Sequence, residues 1–106
     1  MKVEINLKAQ VGDEVWLALD GGPYKATVTH IETRINHDTN TGHILYFVRQ
    51  DNKREESVHR IAIFHTKEDA QQRIDRYKRI KPYSKEFARE LHDEVMDNPE
   101  VVIVEK

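Results

Sequence analysis

The sequence predicts an α+β fold, with a strand-rich first part followed by two helices and a short C-terminal strand. Three observations predict it. Apolar and β-branched residues recur at strand spacing from Val3 to Phe64, the apolar period becomes helical after Thr66, and residues 101–104 are all apolar. A chain of 106 residues has the length of one domain. We therefore expect a single domain over 1–106, with a barrel at 1–65, a two-helix extension at 66–97 and a terminal strand at 100–105 that is added to the sheet of the barrel.

The strand-rich part divides at turn signals into five segments. Asp20-Gly21-Gly22-Pro23 is a strong break, and a polar loop separates the next two segments. A change of apolar phase between Val28 and Ile31 predicts a β-bulge that lets a long strand bend. The last two segments are apolar on consecutive residues, so both of their faces need cover. The predicted strands are residues 3–7, 15–19, 24–35, 44–48 and 58–64.

Two helices are predicted from their capping residues. Thr66 is placed to cap a helix that starts at Lys67 and runs to about Lys81, where Pro82 stops it. Ser84 is the candidate cap of a second helix. Asn98-Pro99 ends that helix just before the terminal strand.

Trp16 is the only tryptophan in the chain and lies in the second predicted strand. Because side chains alternate along a strand, Val15 and Leu17 would point inward and Trp16 outward. We expect Trp16 to form an outer core with the helical stripe or, alternatively, to contact a partner. The stripe consists of Ala70, Ile74 and Tyr77.

Three motifs carry a family resemblance. They are Gly-Asp-Glu-Val-Trp at 12–16, Val-Thr-His-Ile at 28–31 and Phe-His-Thr-Lys-Glu-Asp-Ala at 64–70. With them the chain resembles the short SH3-like barrel proteins common in Gram-positive bacteria and their phages. The resemblance lies in residues 11–49 and 61–74 and covers about two-thirds of the chain, and residues 83–106 extend beyond it. It implies an SH3-like antiparallel β-barrel, encoded by a phage or mobile element, and it carries over no catalytic residue.

The composition excludes or disfavours several classes of function. The formal charge is −2, from 17 basic and 19 acidic residues, whereas nucleic-acid binders usually carry a net basic footprint. There is no cysteine, which excludes disulfides, thiolate chemistry and cysteine-based zinc sites. The N-terminal residues lack an apolar signal core, and no run of residues is long and apolar enough to cross a membrane, so we expect a cytoplasmic protein that does not contact membranes.

Motifs for catalysis or cofactor binding are missing from the sequence. There is no Gly-rich phosphate loop and no serine-hydrolase or deaminase signature, so we expect no enzyme. The six histidines lack helical i, i+4 spacing, and we expect neither a metal nor a cofactor. An aromatic cage for a methylated cation is an alternative that the fold permits. Its rings would come from Trp16, Tyr24, Tyr46, Phe47 and Phe64, with Asp13 or Asp20 as the acid.

The sequence thus predicts a small non-enzymatic interaction module that binds another protein. Its candidate interaction surface consists of Trp16, Tyr24, Arg73, Arg76 and Arg79. A nucleic-acid-binding SH3-like barrel is the alternative, with the basic helix end around Arg73–Lys81 tracking phosphates. However, the second helix is acidic, so the same cations could face carboxylates instead. The apolar terminal strand could also be buried in a homodimer.

Overall fold

A computed structural model describes residues 2–79 and 85–104, without the side chains of Arg79, Lys85, Glu86 and Phe87. The described residues form seven strands in antiparallel sheets, one 3₁₀ turn and two helices, which confirms the α+β class. The strands are β1 (Lys2–Ile5), β2 (Glu14–Leu17), β3 (Tyr24–Asn36), β4 (Thr41–Arg49), β5 (Glu56–Val58), β6 (Ile63–Phe64) and β7 (Val101–Val104). The 3₁₀ turn is Arg60–Ala62, and the helices are α1 (Lys67–Arg79) and α2 (Lys85–Asp97).

Five strands form the main sheet, in the order β5-β4-β3-β2-β6. The long strand β3 changes register between Val28 and His30, which confirms the predicted bulge. Val15 and Leu17 are fully buried and Trp16 is half-buried, so the predicted alternation along β2 is confirmed as well. Strands β5 and β6 are the edges of this sheet, and no closed barrel is detected among the described residues.

The terminal strand does not join the main sheet, contrary to the prediction that it would be added there. Strand β7 pairs with β1 in a separate two-stranded sheet, with Ile5 opposite Val101 and Val3 opposite Ile103. This ribbon packs on the main sheet through Val101, which contacts β4 at Gly42. A side chain at Gly42 would collide with Val101, so the glycine allows the close approach.

The predicted strand over residues 58–64 is wrong, because the 3₁₀ turn interrupts it. The ring of His59 accepts a hydrogen bond from the Ile61 backbone N–H, and the Ala62 N–H donates to the His59 carbonyl. Lys8 Nζ donates to the Arg60 carbonyl. These local and tertiary hydrogen bonds compete with a continuous strand ladder.

The helices begin and end largely where their caps predict. Thr66 Oγ1 accepts a hydrogen bond from the Asp69 N–H at 3.1 Å, which confirms the cap of α1. Helix α2 ends at Asp97, directly before Asn98-Pro99, as expected. The predicted stop at Lys81-Pro82 and the predicted cap Ser84 lie outside the described residues. No described helix has the length and apolar character needed to cross a membrane.

Candidate functional site

Trp16 lies on the outer face of the main sheet, beneath α1. It pairs with Phe64 across β2 and β6, and α1 packs on both strands. Lys67, in the first turn of α1, holds its ammonium group 5.6 Å from the centre of the Trp16 ring. Ala70 and Ile74 of α1 are buried. Trp16 is therefore half-buried next to the helix rather than displayed on an open face.

Tyr24 faces the other side of the same sheet. It pairs with Leu17, the inward-pointing neighbour of Trp16, and it packs against the main core. Its hydroxyl donates to the Asp20 carbonyl at 3.0 Å, within the tight turn that precedes β3. Because directly opposite residues share a face, Trp16 and Tyr24 lie on opposite faces and do not form one contact surface.

The arginines of α1 face the acidic side of α2. Arg73 contacts the Glu94 carboxylate at 2.5 Å, and Arg76 makes a two-pronged contact with Glu90. The hydrogen bond from Arg76 lowers the pKa of the Glu90 carboxyl. Arg79 ends α1, and its side chain lies outside the described part. Two of the three predicted arginines, Arg73 and Arg76, thus form ion pairs that link α1 to α2.

The rings proposed for an aromatic cage are also dispersed. Phe64 has Lys8 at 4.6 Å and Arg73 at 5.3 Å from its ring centre, so cations of the chain already occupy its surroundings. Phe47 lies beside the ring of His30. Tyr46 is fully buried. With Trp16 and Tyr24 on opposite faces, the five rings do not surround a common site.

The described residues of the two helices, the 3₁₀ turn and the segment after β2 form an open groove of about 680 Å³. Aliphatic side chains of the segment after β2, of the 3₁₀ turn and of both helices make up most of its lining. Tyr77, 42% exposed, stands in its wall, and charged side chains of both signs lie at its rim. The lining residues are Ala18, Leu19, Asp20, Ile61, Ala62, Arg73, Ile74, Tyr77, Lys78 and Leu91. We call this the helical groove.

A second feature is a polar cluster beneath the ribbon, formed by Lys8, Tyr46, Arg60 and Glu100. The Tyr46 hydroxyl donates to the Glu100 carboxylate and accepts the Lys8 backbone N–H at 2.8 Å. The Arg60 guanidinium lies 3.4 Å from the same carboxylate. Glu100 is 9% exposed and Tyr46 is not exposed at all. The cluster therefore places an acid in the interior, where it needs these partners.

The electrostatics of the polar cluster follow from burial. Desolvation and the hydrogen bond to Glu100 raise the pKa of the Tyr46 hydroxyl to about 12. Desolvation, aided by the neighbouring cations Arg73 and Arg60, lowers the pKa of the Lys8 ammonium below its usual value, against the opposing pull of Glu94 and Glu100. Desolvation and Arg60 likewise lower the pKa of His59. Shifted pKa values are common at functional sites, but structural ion pairs also shift pKa values.

The contacts of Arg60 indicate that the polar cluster is structural. Its guanidinium donates to the backbone carbonyls of Val95, at 2.6 Å, and of Asn98. These carbonyls lie at the C-terminal end of α2, where a cation satisfies unpaired acceptors and the helix dipole. Arg60 thus links the C-terminal end of α2 to the interior acid Glu100, which directly precedes β7. A cavity of about 540 Å³ borders it, lined by Leu7, Lys8, Glu94 and Val102 among others.

Sequence reasoning missed the polar cluster. The four residues are spread from position 8 to position 100, and no short motif links them. One signal was available, since Tyr46 sits within an uninterrupted apolar run and a buried tyrosine hydroxyl requires a partner. Among the described residues, no three histidine, aspartate or glutamate side chains come together as a metal site would require.

Comparisons with protein-family models, with curated proteins and with solved structures found no match for this chain.

Proposed function

We propose that this chain is a small non-enzymatic protein-binding module that receives apolar side chains of a partner protein in the helical groove. The groove supports the proposal because it is an apolar concavity in a chain of which 34% is charged. Its volume of about 680 Å³ lies in the range of pockets that bind ligands. Exposed apolar surface rimmed by polar groups commonly marks an interaction site.

The rim supports a partner that carries charges of both signs beside its apolar residues. Asp20 and Lys78 border the groove and offer one charge of each sign. Arg73, also at the rim, is compensated by Glu94. A largely balanced rim around an apolar floor suits a protein segment better than a phosphate backbone, which requires several uncompensated cations.

The ion pairs between α1 and α2 weaken the case for nucleic acid as the alternative partner. Arg73 and Arg76 were expected to track phosphates, yet both contact carboxylates of α2. Binding a phosphate backbone there would require breaking these pairs, so nucleic-acid binding is the competing outcome of the test below.

The proposed module is a cytoplasmic protein with an SH3-like curl of its main sheet, encoded by a phage or mobile element. The antiparallel order β5-β4-β3-β2-β6 and the bulge in β3 support the curl, because bulges bend long strands. The three sequence motifs supply the remaining support. SH3-like barrels serve many unrelated functions, so the function rests on the groove and not on the curl.

A capture experiment with matched variants tests the proposal. The tagged protein is incubated with host lysate, with and without nuclease, beside the variants Tyr77→Ala and Met96→Ala. Both residues are exposed apolar side chains of the helices, 42% and 65% exposed, but only Tyr77 lines the groove. We expect a partner protein that survives nuclease treatment, is retained by Met96→Ala and is lost by Tyr77→Ala. Capture that disappears with nuclease, or that both variants retain equally, would contradict the proposal.

A further inference from the structure

The outer edge of β1 is an unpaired strand edge in the described structure. Strand β7 is the inner strand of the ribbon, since all four of its residues are half-buried and it packs on β4. Strand β1 lies outside it, and three of its four residues are exposed, with Ile5 at 46%. Among the described strands only β7 pairs with β1. An edge of this kind is a template for pairing with another strand.

The direction of the backbone groups on β1 follows from one hydrogen bond. The Asn6 N–H donates to the Glu100 carbonyl at 2.7 Å, toward the chain that leads into β7. Because these directions alternate along an antiparallel strand, Lys2 and Glu4 also direct their N–H and C=O groups to β7. Val3 and Ile5 therefore direct theirs outward, to the unpaired edge.

The charges on β1 favour one pairing with a second copy. A two-fold axis at Val3 places Val3 opposite Val3 and, on either side, Lys2 opposite Glu4 of the other copy. An axis at Glu4 would instead place two glutamates opposite each other, which is destabilising. An axis at Ile5 would pair only Ile5 with Ile5 inside β1, whereas the axis at Val3 pairs three residues of each strand. Only the first arrangement is complementary in both backbone hydrogen bonds and charge.

We propose that two copies of this chain associate weakly through antiparallel pairing of their β1 strands, centred on Val3. The result is a four-stranded sheet in the order β7-β1-β1-β7, with Val3, Ile5, Val101 and Ile103 of each copy on one apolar face. The two-fold contact uses the β1 edge of both copies, so this contact joins two chains and does not propagate further. In this register three residues of each strand, Lys2 to Glu4, face the other copy. They bury little area, so the dimer forms only at high protein concentration.

The two side chains that set this register are exposed in the single chain. Lys2 and Glu4 of one chain are 3.6 Å apart, and their side chains are 67% and 51% exposed. Such an exposed pair contributes little to the stability of the single chain. Both side chains can therefore turn to the second copy. This association uses a different surface from the helical groove and does not depend on the proposed function.

Charge reversal tests the pairing. Sedimentation velocity over a range of concentrations would compare the parent with Lys2→Glu, Glu4→Lys and the double swap Lys2→Glu/Glu4→Lys. Each single variant faces like charges across the axis, so we expect its association constant to fall about tenfold. The double swap restores opposite charges and is expected to return to within about threefold of the parent. Tyr77→Ala is the control variant and should dimerise like the parent.

Two results would overturn the proposal. One is a parent protein that stays monomeric at the highest concentration measured. The other is a double swap that remains as dissociated as the single variants, which would show that the two charges do not meet. Equal melting temperatures of all variants at low concentration would show that the folded chain is intact, as the exposure of both side chains predicts.

Discussion

Replacing Tyr46 by phenylalanine removes one hydroxyl from the polar cluster and leaves the ring in place. The buried Glu100 carboxylate then loses a hydrogen-bond donor, and the Lys8 N–H loses its acceptor. Hydrogen bonds to charged groups are worth about 1.5–3 kcal/mol. We therefore expect Tyr46→Phe to lower the free energy of unfolding by about 2–3 kcal/mol at neutral pH.

The pKa of Tyr46 reports on the environment of the same hydroxyl, because burial raises it most and the hydrogen bond to Glu100 raises it next. A rise from 10.0 to about 12 corresponds to about 2.7 kcal/mol in favour of the neutral hydroxyl in the folded state. Because the folded pKa is the higher one, this contribution is complete below pH 10 and is lost as the pH rises toward about 12. The unfolded chain ionises in that window, whereas the folded chain does not.

Urea unfolding of the parent and of Tyr46→Phe, repeated between pH 7 and pH 12, measures both effects. The difference between the two proteins should be about 2–3 kcal/mol at pH 7 and should shrink above pH 10. Subtraction removes the contributions of groups that titrate equally in both. A difference that stays constant with pH, or a variant as stable as the parent at pH 7, would refute the role given to this hydrogen bond.

Three further substitutions test the packing of the helices and the ribbon. Arg60→Ala leaves Glu100 without its cation and should lower the free energy of unfolding by about 3–5 kcal/mol, measured by chemical unfolding. Trp16→Ala should cost about 2 kcal/mol, less than for a fully buried tryptophan, and native Trp16 fluorescence should lie to the blue of the unfolded chain. Gly42→Ala forces a methyl group to within 2.6 Å of Val101 and should cost about 1–3 kcal/mol, measured by thermal unfolding.

Local signals predicted most of the elements. The alternation at Val15 and Leu17, the bulge after Val28 and the cap at Thr66 depend on neighbours within a few residues, and all three are present. The 3₁₀ turn and the partner of β7 could not be predicted in this way. The turn is supported by Lys8, which is 52 residues from its acceptor Arg60.

The candidate surface was predicted less well, because it assumed that residues of similar chemistry would meet. Trp16 and Tyr24 are separated by the sheet itself, a consequence of the register that pairs Tyr24 with Leu17. Arg73 and Arg76 lie close together but face carboxylates, for which the acidic composition of the second helix was the available signal. The groove depends on how α1 packs on the sheet and how α2 lies beside α1, which periodicity alone does not specify.

The affinity of the captured protein for the helical groove tests the central claim most directly. Isothermal titration of that purified protein into the parent, Tyr77→Ala and Met96→Ala, at low and at physiological salt, separates apolar contact from phosphate binding. We predict that Tyr77→Ala weakens binding about tenfold or more, that Met96→Ala leaves it unchanged, and that salt has little effect. Equal affinity for the parent and Tyr77→Ala would contradict the claim that the groove is the binding site.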